Sequence, residues 1–127
     1  MLQNVRSLQV LIVDDSPKMR RMIRGLVAPY AAEIFECADG AEAFSSYQLH
    51  HPDLVLMDIS LGESDGIGAT RRICAADPHA RVVMVTDYDD AAMRQAAADA
   101  GACGYVVKEN LLELREILGR QSFEARL

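Results

Sequence analysis

The chain has no apolar run approaching the roughly 18 residues that a membrane-spanning helix requires, and Met1 to Arg6 lacks the apolar stretch of a signal peptide. A cytoplasmic protein with no membrane partner is therefore expected. Cysteine is scarce. Cys37, Cys74 and Cys103 are odd in number, far apart and without a C-x-x-C pair, which argues against a disulfide framework or a zinc knuckle. They are read as small core-filling thiols. Positive charge is also short: 13 Lys and Arg against 19 Asp and Glu give a formal charge of −6, so nucleic acid and anionic membranes should repel the domain as a whole. The one basic run, Lys18, Arg20, Arg21 and Arg24, falls where a helix would show its solvated face. His50, His51 and His79 lack metal-ligand spacing and are read as surface residues.

What is present is the composition of one ordinary globular domain: 127 residues, 50% apolar and 25% charged. Residues 1–120 are taken as the domain and 121–127 as a tail or linker stub. Leu8 to Val13 is a short apolar run that stops at Asp14-Asp15, and Ser16-Pro17 then supplies an N-cap and a first-turn proline. Met19, Met22, Ile23, Leu26 and Val27 follow at helical spacing as one apolar stripe, ended by Pro29. Ala32 to Cys37 is a weaker strand; Asp39-Gly40 then caps a helix carrying Ala43, Phe44 and Tyr47, closed by His50-His51-Pro52.

Leu54 to Met57, Val82 to Val85 and Tyr105 to Val107 are further apolar runs, ending at Asp58, Thr86 and Lys108. Helices are expected over about Ile67 to Ala76, about Asp90 to Ala100 with Gly101 as terminator, and about Asn110 to Gly119 with Leu111, Leu114 and Leu118 on one face. Continuous apolar strands alternating with amphipathic helices predict a parallel sheet covered on both faces.

In such a sheet all strand carboxyl ends share one edge, the edge where open α/β sheets place their ligands. Asp14, Asp15, Asp58, Thr86 and Lys108 each lie at or just beyond such an end. Taken singly, the acidic pair could be helix caps and the others loop or cap residues; their joint placement is what implies a site. Three carboxylates at the mouth of a low-dielectric sheet raise one another's pKa and call for a cation. Hard oxygen ligands suit Mg²⁺, with Asp15 and Asp58 as direct ligands and Asp14 acting through water. With Lys108 to neutralise phosphoryl oxygens and Thr86 to donate a hydrogen bond, Asp58 has the surroundings of a nucleophile that forms an aspartyl-phosphate.

Over about Leu8 to Leu118 the chain resembles the receiver domain of bacterial two-component response regulators. The likeness is carried by LIVDDSPKMRRMI, LVLMDISLGESDGIGATRRI, VVMVTDYDD and GACGYVVKE. It implies a flavodoxin-like α/β three-layer sandwich with strand order 2-1-3-4-5, and phosphorylation of Asp58 by a histidine kinase or a phosphotransfer protein in an Mg²⁺-dependent reaction. It further implies that Asp14 and Asp15 are the acidic pair, Ser60 supplies a backbone carbonyl to the metal, and Lys108 binds the phosphate. Thr86 and Tyr105 would be the switch pair that biases the face made by the fourth helix, fifth strand and fifth helix. An effector domain, a partner protein or a second phosphorylated copy would engage that face. Ser60 and Tyr88 would tune the phosphorylated lifetime, with bulky Tyr88 hindering water so that self-dephosphorylation is slow. Catalysis would be limited to the domain's own phosphoryl transfer and dephosphorylation.

The departures are specific. Glu109 stands where many receivers have a cis-proline, so a trans peptide and a less rigidly aimed Lys108 are expected. Gly-Tyr-x-x-Lys without that proline is similar to receivers that precede a helix-turn-helix output, although direct nucleic-acid binding by this domain is not expected. Gly62 and Ser64 replace a common proline and a larger apolar residue, which predicts a more mobile loop after Asp58. Haloacid-dehalogenase-like phosphatases need a second carboxylate where Ser60 stands, and a flavin carrier needs small residues and free amides where DDSPKM stands. A phosphate-independent protein-binding module is the alternative that the residues leave open.

Overall fold

The computed structural model describes residues 8–125, with side chains as far as Arg120. Five strands, β1 (Leu8–Val13), β2 (Ala31–Cys37), β3 (Leu54–Met57), β4 (Val82–Thr86) and β5 (Gly104–Val107), alternate with five helices, α1 (Pro17–Val27), α2 (Gly40–His50), α3 (Gly66–Ala76), α4 (Ala91–Ala100) and α5 (Glu113–Ala125). All strands of the sheet are parallel, in the order β2-β1-β3-β4-β5, which is the flavodoxin-like arrangement.

The period-two geometry of a strand divides its side chains between two cores. Leu11, Val13, Val55, Met57 and Met84 pack with Ala43, Tyr47, Ile73 and Ala97 on the side of α2, α3 and α4. Val10, Ile12, Leu54, Leu56 and Val83 pack with Ile23, Val27, Leu114 and Leu118 on the side of α1 and α5. Side chains throughout β3 and β4 are buried, because each strand has a neighbour on both edges and helices on both faces.

Local chemistry starts the first four helices where the sequence predicts. Ser16, Asp39, Asp65 and Asp90 accept hydrogen bonds from the amides of Met19, Glu42, Ile67 and Ala92 and so satisfy first-turn donors. Gly101, in the left-handed region at φ 112°, ends α4.

Several expectations are corrected. Met22 is 48% exposed: α1 centres its buried face on Ile23 and Val27, and Met22 lies more than 90° round the helix from that centre at 100° per residue. Cys103 is exposed, and Cys37 and Cys74 pack half-buried against the margin of the core rather than within it. The last helix begins at Glu113, after a 3-10 turn over Lys108–Asn110, and runs past Gly119 to Ala125. The final two residues of the expected tail lie outside the described residues. Among the described residues no helix is long and apolar enough to cross a membrane.

Candidate functional site

Parallel pairing fixes the height at which each strand ends. Val13 is opposite Met57 and Cys37, Met57 is opposite Met84, and Thr86 is opposite Val107. Asp14, Asp58 and Lys108 are each the next residue after a paired strand end, so they emerge within about two rungs of one another at roughly 3.3 Å per residue. The ladder extends into the site: the Asp14 amide donates to the Cys37 carbonyl at 3.1 Å and the Asp58 amide to the Val13 carbonyl at 2.9 Å.

The site is a buried charge cluster. Asp14 is 1% exposed, Asp58 5% and Thr86 0%, while Asp15 is exposed. Lys108 Nζ lies 3.1 Å from Asp58 Oδ2 and 2.9 Å from Asp14 Oδ2, bridging the two buried carboxylates. Asp14 Oδ1 accepts from the Ser16 amide at 2.9 Å, and Asp58 Oδ1 from the Ser60 amide at 3.4 Å. Lys108 is thus clamped between two carboxylates; the lysine expected to be loosely aimed is held by charge without a proline behind it. No cis peptide occurs among the described residues.

Burial is the largest influence on Asp58 and pushes its pKa up; Lys108 pulls it down, the Asp14 carboxylate adds to the rise, and the balance is about 6. Burial works against the Lys108 ammonium, yet Asp14 and Asp58 outweigh it and hold its pKa above the usual lysine range. Asp14, Asp15 and Asp58 each offer a carboxylate oxygen within 4.8 Å of the others. One lysine cannot balance three carboxylates. This all-oxygen donor set suits a divalent cation.

The other predicted residues sit at the mouth. Thr86 Oγ1 accepts from the Tyr88 amide at 3.3 Å, the Tyr88 hydroxyl lies 3.3 Å from Ser60 Oγ, and the Tyr105 hydroxyl donates to the Tyr88 carbonyl at 2.8 Å. Arg94, paired with Asp89 at 3.2 Å, lies 4.6 Å from the centroid of the Tyr105 ring. The loop after Asp58, expected to be mobile, closes as a small antiparallel ribbon of Ser60–Leu61 with Ser64–Asp65, and Gly62 supplies the left-handed turn at φ 64°. His50 stacks on Phe35, His51 ends α2 and His79 is exposed; none approaches the carboxylates.

Two features escape sequence reasoning. Gly66 opens α3 with its amide donating to the Ile59 carbonyl at 2.8 Å, and a Cβ there would overlap the Asp58 carbonyl oxygen and stand 2.9 Å from Ile59 Cα. Only a glycine lets α3 start against the Asp58–Ile59 backbone; its φ is not positive, so space and not conformational freedom demands it. The basic run of α1 is the second: Arg20 and Arg24 both bind Glu36 on β2, leaving Lys18 and Arg21 as the solvated pair.

Residues 10–119 match the response regulator receiver domain family. The chemotaxis protein CheY of Bacillus subtilis is 40% identical over 101 residues, covering 79% of this chain and 84% of that protein. A two-component response regulator of the LuxR family from Aurantimonas sp. SI85-9A1 superposes with a TM-score of 0.80 at 33% identity, covering 94% of this chain and 98% of that one. The CheX-CheY-BeF3-Mg+2 complex from Borrelia burgdorferi does so with a TM-score of 0.80 at 26% identity, covering 94% and 89%. Asp14, Asp15 and Asp58 clustered with Lys108 and Thr86 are the arrangement typical of Mg²⁺-dependent phosphorylation switches in receiver domains. By its sheet, its clustered acidic site and these likenesses, the chain belongs to the response regulator receiver domain family.

Proposed function

We propose that Asp58 accepts a phosphoryl group from the phosphohistidine of a histidine kinase or phosphotransfer protein. The observation that carries this reading is a 5% exposed carboxylate clamped by Lys108 at 3.1 Å and flanked by two further aspartates. An Asp58 oxygen forms the new O–P bond as the P–N bond breaks; the imidazole leaves with the electron pair and takes its proton from solvent. Asp15, Asp58 and the Ser60 carbonyl would hold Mg²⁺ directly and Asp14 through water, consistent with Asp15 being exposed and Asp14 having one oxygen engaged by the Ser16 amide. When bound, the ion supplies positive charge to the phosphoryl oxygens. The CheX-CheY-BeF3-Mg+2 complex from Borrelia burgdorferi, which has this fold, contains Mg²⁺, and this supports the choice of ion.

Lys108 binds and orients the phosphoryl oxygens from the other side, and Thr86 turns its hydroxyl to a third. Because Thr86 already contacts the Tyr88 amide and Tyr105 holds the Tyr88 carbonyl, a move of Thr86 is transmitted to the Tyr105 ring between α4 and β5. Phosphate thereby favours one of two arrangements of the α4-β5-α5 face, where an effector domain, a partner protein or a second copy would dock. Ser60 and Tyr88, in contact across the mouth, obstruct in-line water and lengthen the phosphorylated lifetime. This switch operates in the cytoplasm, where such kinases present their phosphohistidine.

Intact mass after incubation with acetyl phosphate tests the reading. A gain of one phosphoryl group that requires Mg²⁺ and disappears in Asp58→Asn is expected. No adduct under any condition would sink it and leave a phosphate-independent binding module.

A further inference from the structure

Arg20 makes a contact that neither the fold nor the phosphoryl chemistry above requires. From α1 its guanidinium divides between two partners: Nη1 donates to the Asp14 carbonyl at 2.6 Å, and Nε donates to Glu36 Oε1 on β2 at 3.0 Å. Arg24, one turn further, donates to the other oxygen of Glu36 at 2.6 Å. The two arginines share one carboxylate, yet only Arg20 reaches the site backbone. Its side chain is 19% exposed, against 47% for Arg24.

The Asp14 carbonyl belongs to the peptide unit joining Asp14 to Asp15. A short charge-assisted bond to that oxygen fixes the tilt of the peptide plane, and hence the direction in which Asp15 leaves the chain. Asp14 has three other anchors, its amide on the Cys37 carbonyl, its Oδ1 on the Ser16 amide and its Oδ2 on the Lys108 ammonium. Asp15 has no side-chain hydrogen bond or ion pair among the described residues, so its aim rests on its backbone. Glu36 braces the guanidinium from the edge strand and keeps the fork from swinging to solvent.

We propose that Arg20 is a positioning residue for the cation site: braced by Glu36, it holds the Asp14–Asp15 peptide so that the Asp15 carboxylate faces Asp58. This rests on the reading that the carboxylates bind Mg²⁺. Electrostatics alone gives the opposite sign, because a fixed positive charge near a cation site weakens cation binding, and removing an arginine should then strengthen it. The two effects are therefore separable by direction, and Arg24 is an internal control of equal charge and shared partner.

Calorimetric titration with Mg²⁺ in the absence of phosphodonor decides the matter. Arg20→Gln should bind Mg²⁺ about tenfold more weakly than wild type, the scale of losing an outer support of a metal ligand. Arg24→Gln should bind as tightly as wild type or slightly more so, although both variants lose a Glu36 pair and should melt at similarly lowered temperatures. Arg20→Lys, which keeps the charge but has no fork to span both partners, should also bind more weakly than wild type and serves if the glutamine variant fails to fold. Equal affinity of Arg20→Gln and Arg24→Gln, or of Arg20→Lys and wild type, would overturn the role of Arg20 alone. A wild-type chain that binds no Mg²⁺ would overturn the metal reading, and this proposal with it.

Discussion

Replacing Asp58 by asparagine should stabilise the metal-free domain. The Asp58 carboxyl has its pKa raised from 3.8 to about 6, a balance that already includes the attraction of Lys108. At about 1.4 kcal/mol per pKa unit, its ionised form costs up to about 3 kcal/mol at pH 7 relative to a neutral group of the same shape. The sign follows from the direction of the shift. Above pH 6 the carboxyl is ionised in both folded and unfolded chains and the cost is full; below 3.8 it is protonated in both and the cost is gone. The neutral amide of asparagine removes the cost but makes less of its contact with Lys108, so a gain of about 1–3 kcal/mol is expected at about pH 7, shrinking to about 0.5 kcal/mol or less at about pH 4. For a domain of this size the gain at neutral pH raises the melting temperature on the order of 5 °C.

The assay is urea or thermal unfolding of both proteins in chelator at the two pH values, repeated with Mg²⁺. At 100 times its dissociation constant the ion adds about 2.7 kcal/mol to wild type, and the variant, short of a ligand, should gain less. An asparagine variant that is less stable than wild type in chelator at neutral pH, or whose advantage persists undiminished at low pH, would refute the electrostatic account of the site.

Gly66→Ala should destabilise by about 1–3 kcal/mol, because the new Cβ forces α3 away from the Asp58–Ile59 backbone; denaturant titration would show it, and an unchanged midpoint would mean the backbone gives way freely. Tyr88→Ala should speed loss of the phosphoryl group by on the order of fivefold, the rate equivalent of about 1 kcal/mol for a lost cover and hydroxyl contact. Loss of the adduct with time by intact mass measures this, and an unchanged rate would remove Tyr88 from lifetime control.

The strands and the site's main residues were legible because their signals are local. An unbroken apolar run such as Leu54 to Met57 reads as a doubly covered strand wherever it sits, and Ser16-Pro17 or Asp90 reads as a helix start from its own chemistry. Met22 misled because periodicity marks an apolar arc without saying which part of it meets the sheet. The hairpin after Asp58 is not legible in sequence because a glycine that loosens an unfolded loop also admits the left-handed turn that closes it. Arg20 reads as solvated charge from sequence: nothing at its own position in the chain announces Glu36, sixteen residues on, or a carbonyl that only the α1–β1 packing brings within reach.

The alternation of strand and helix and the residue type at each strand's carboxyl end are written in the order of residues, since apolar period, capping and turn chemistry act over a few neighbours. Folding in three dimensions is what seals Asp14 while leaving Asp15 exposed, sets Lys108 between Asp14 and Asp58, and brings Gly66 against the Asp58 backbone. Burial and Coulomb energy depend on distances through space, and those are set by strand order and register, in which residues 50 positions apart become ion-pair partners.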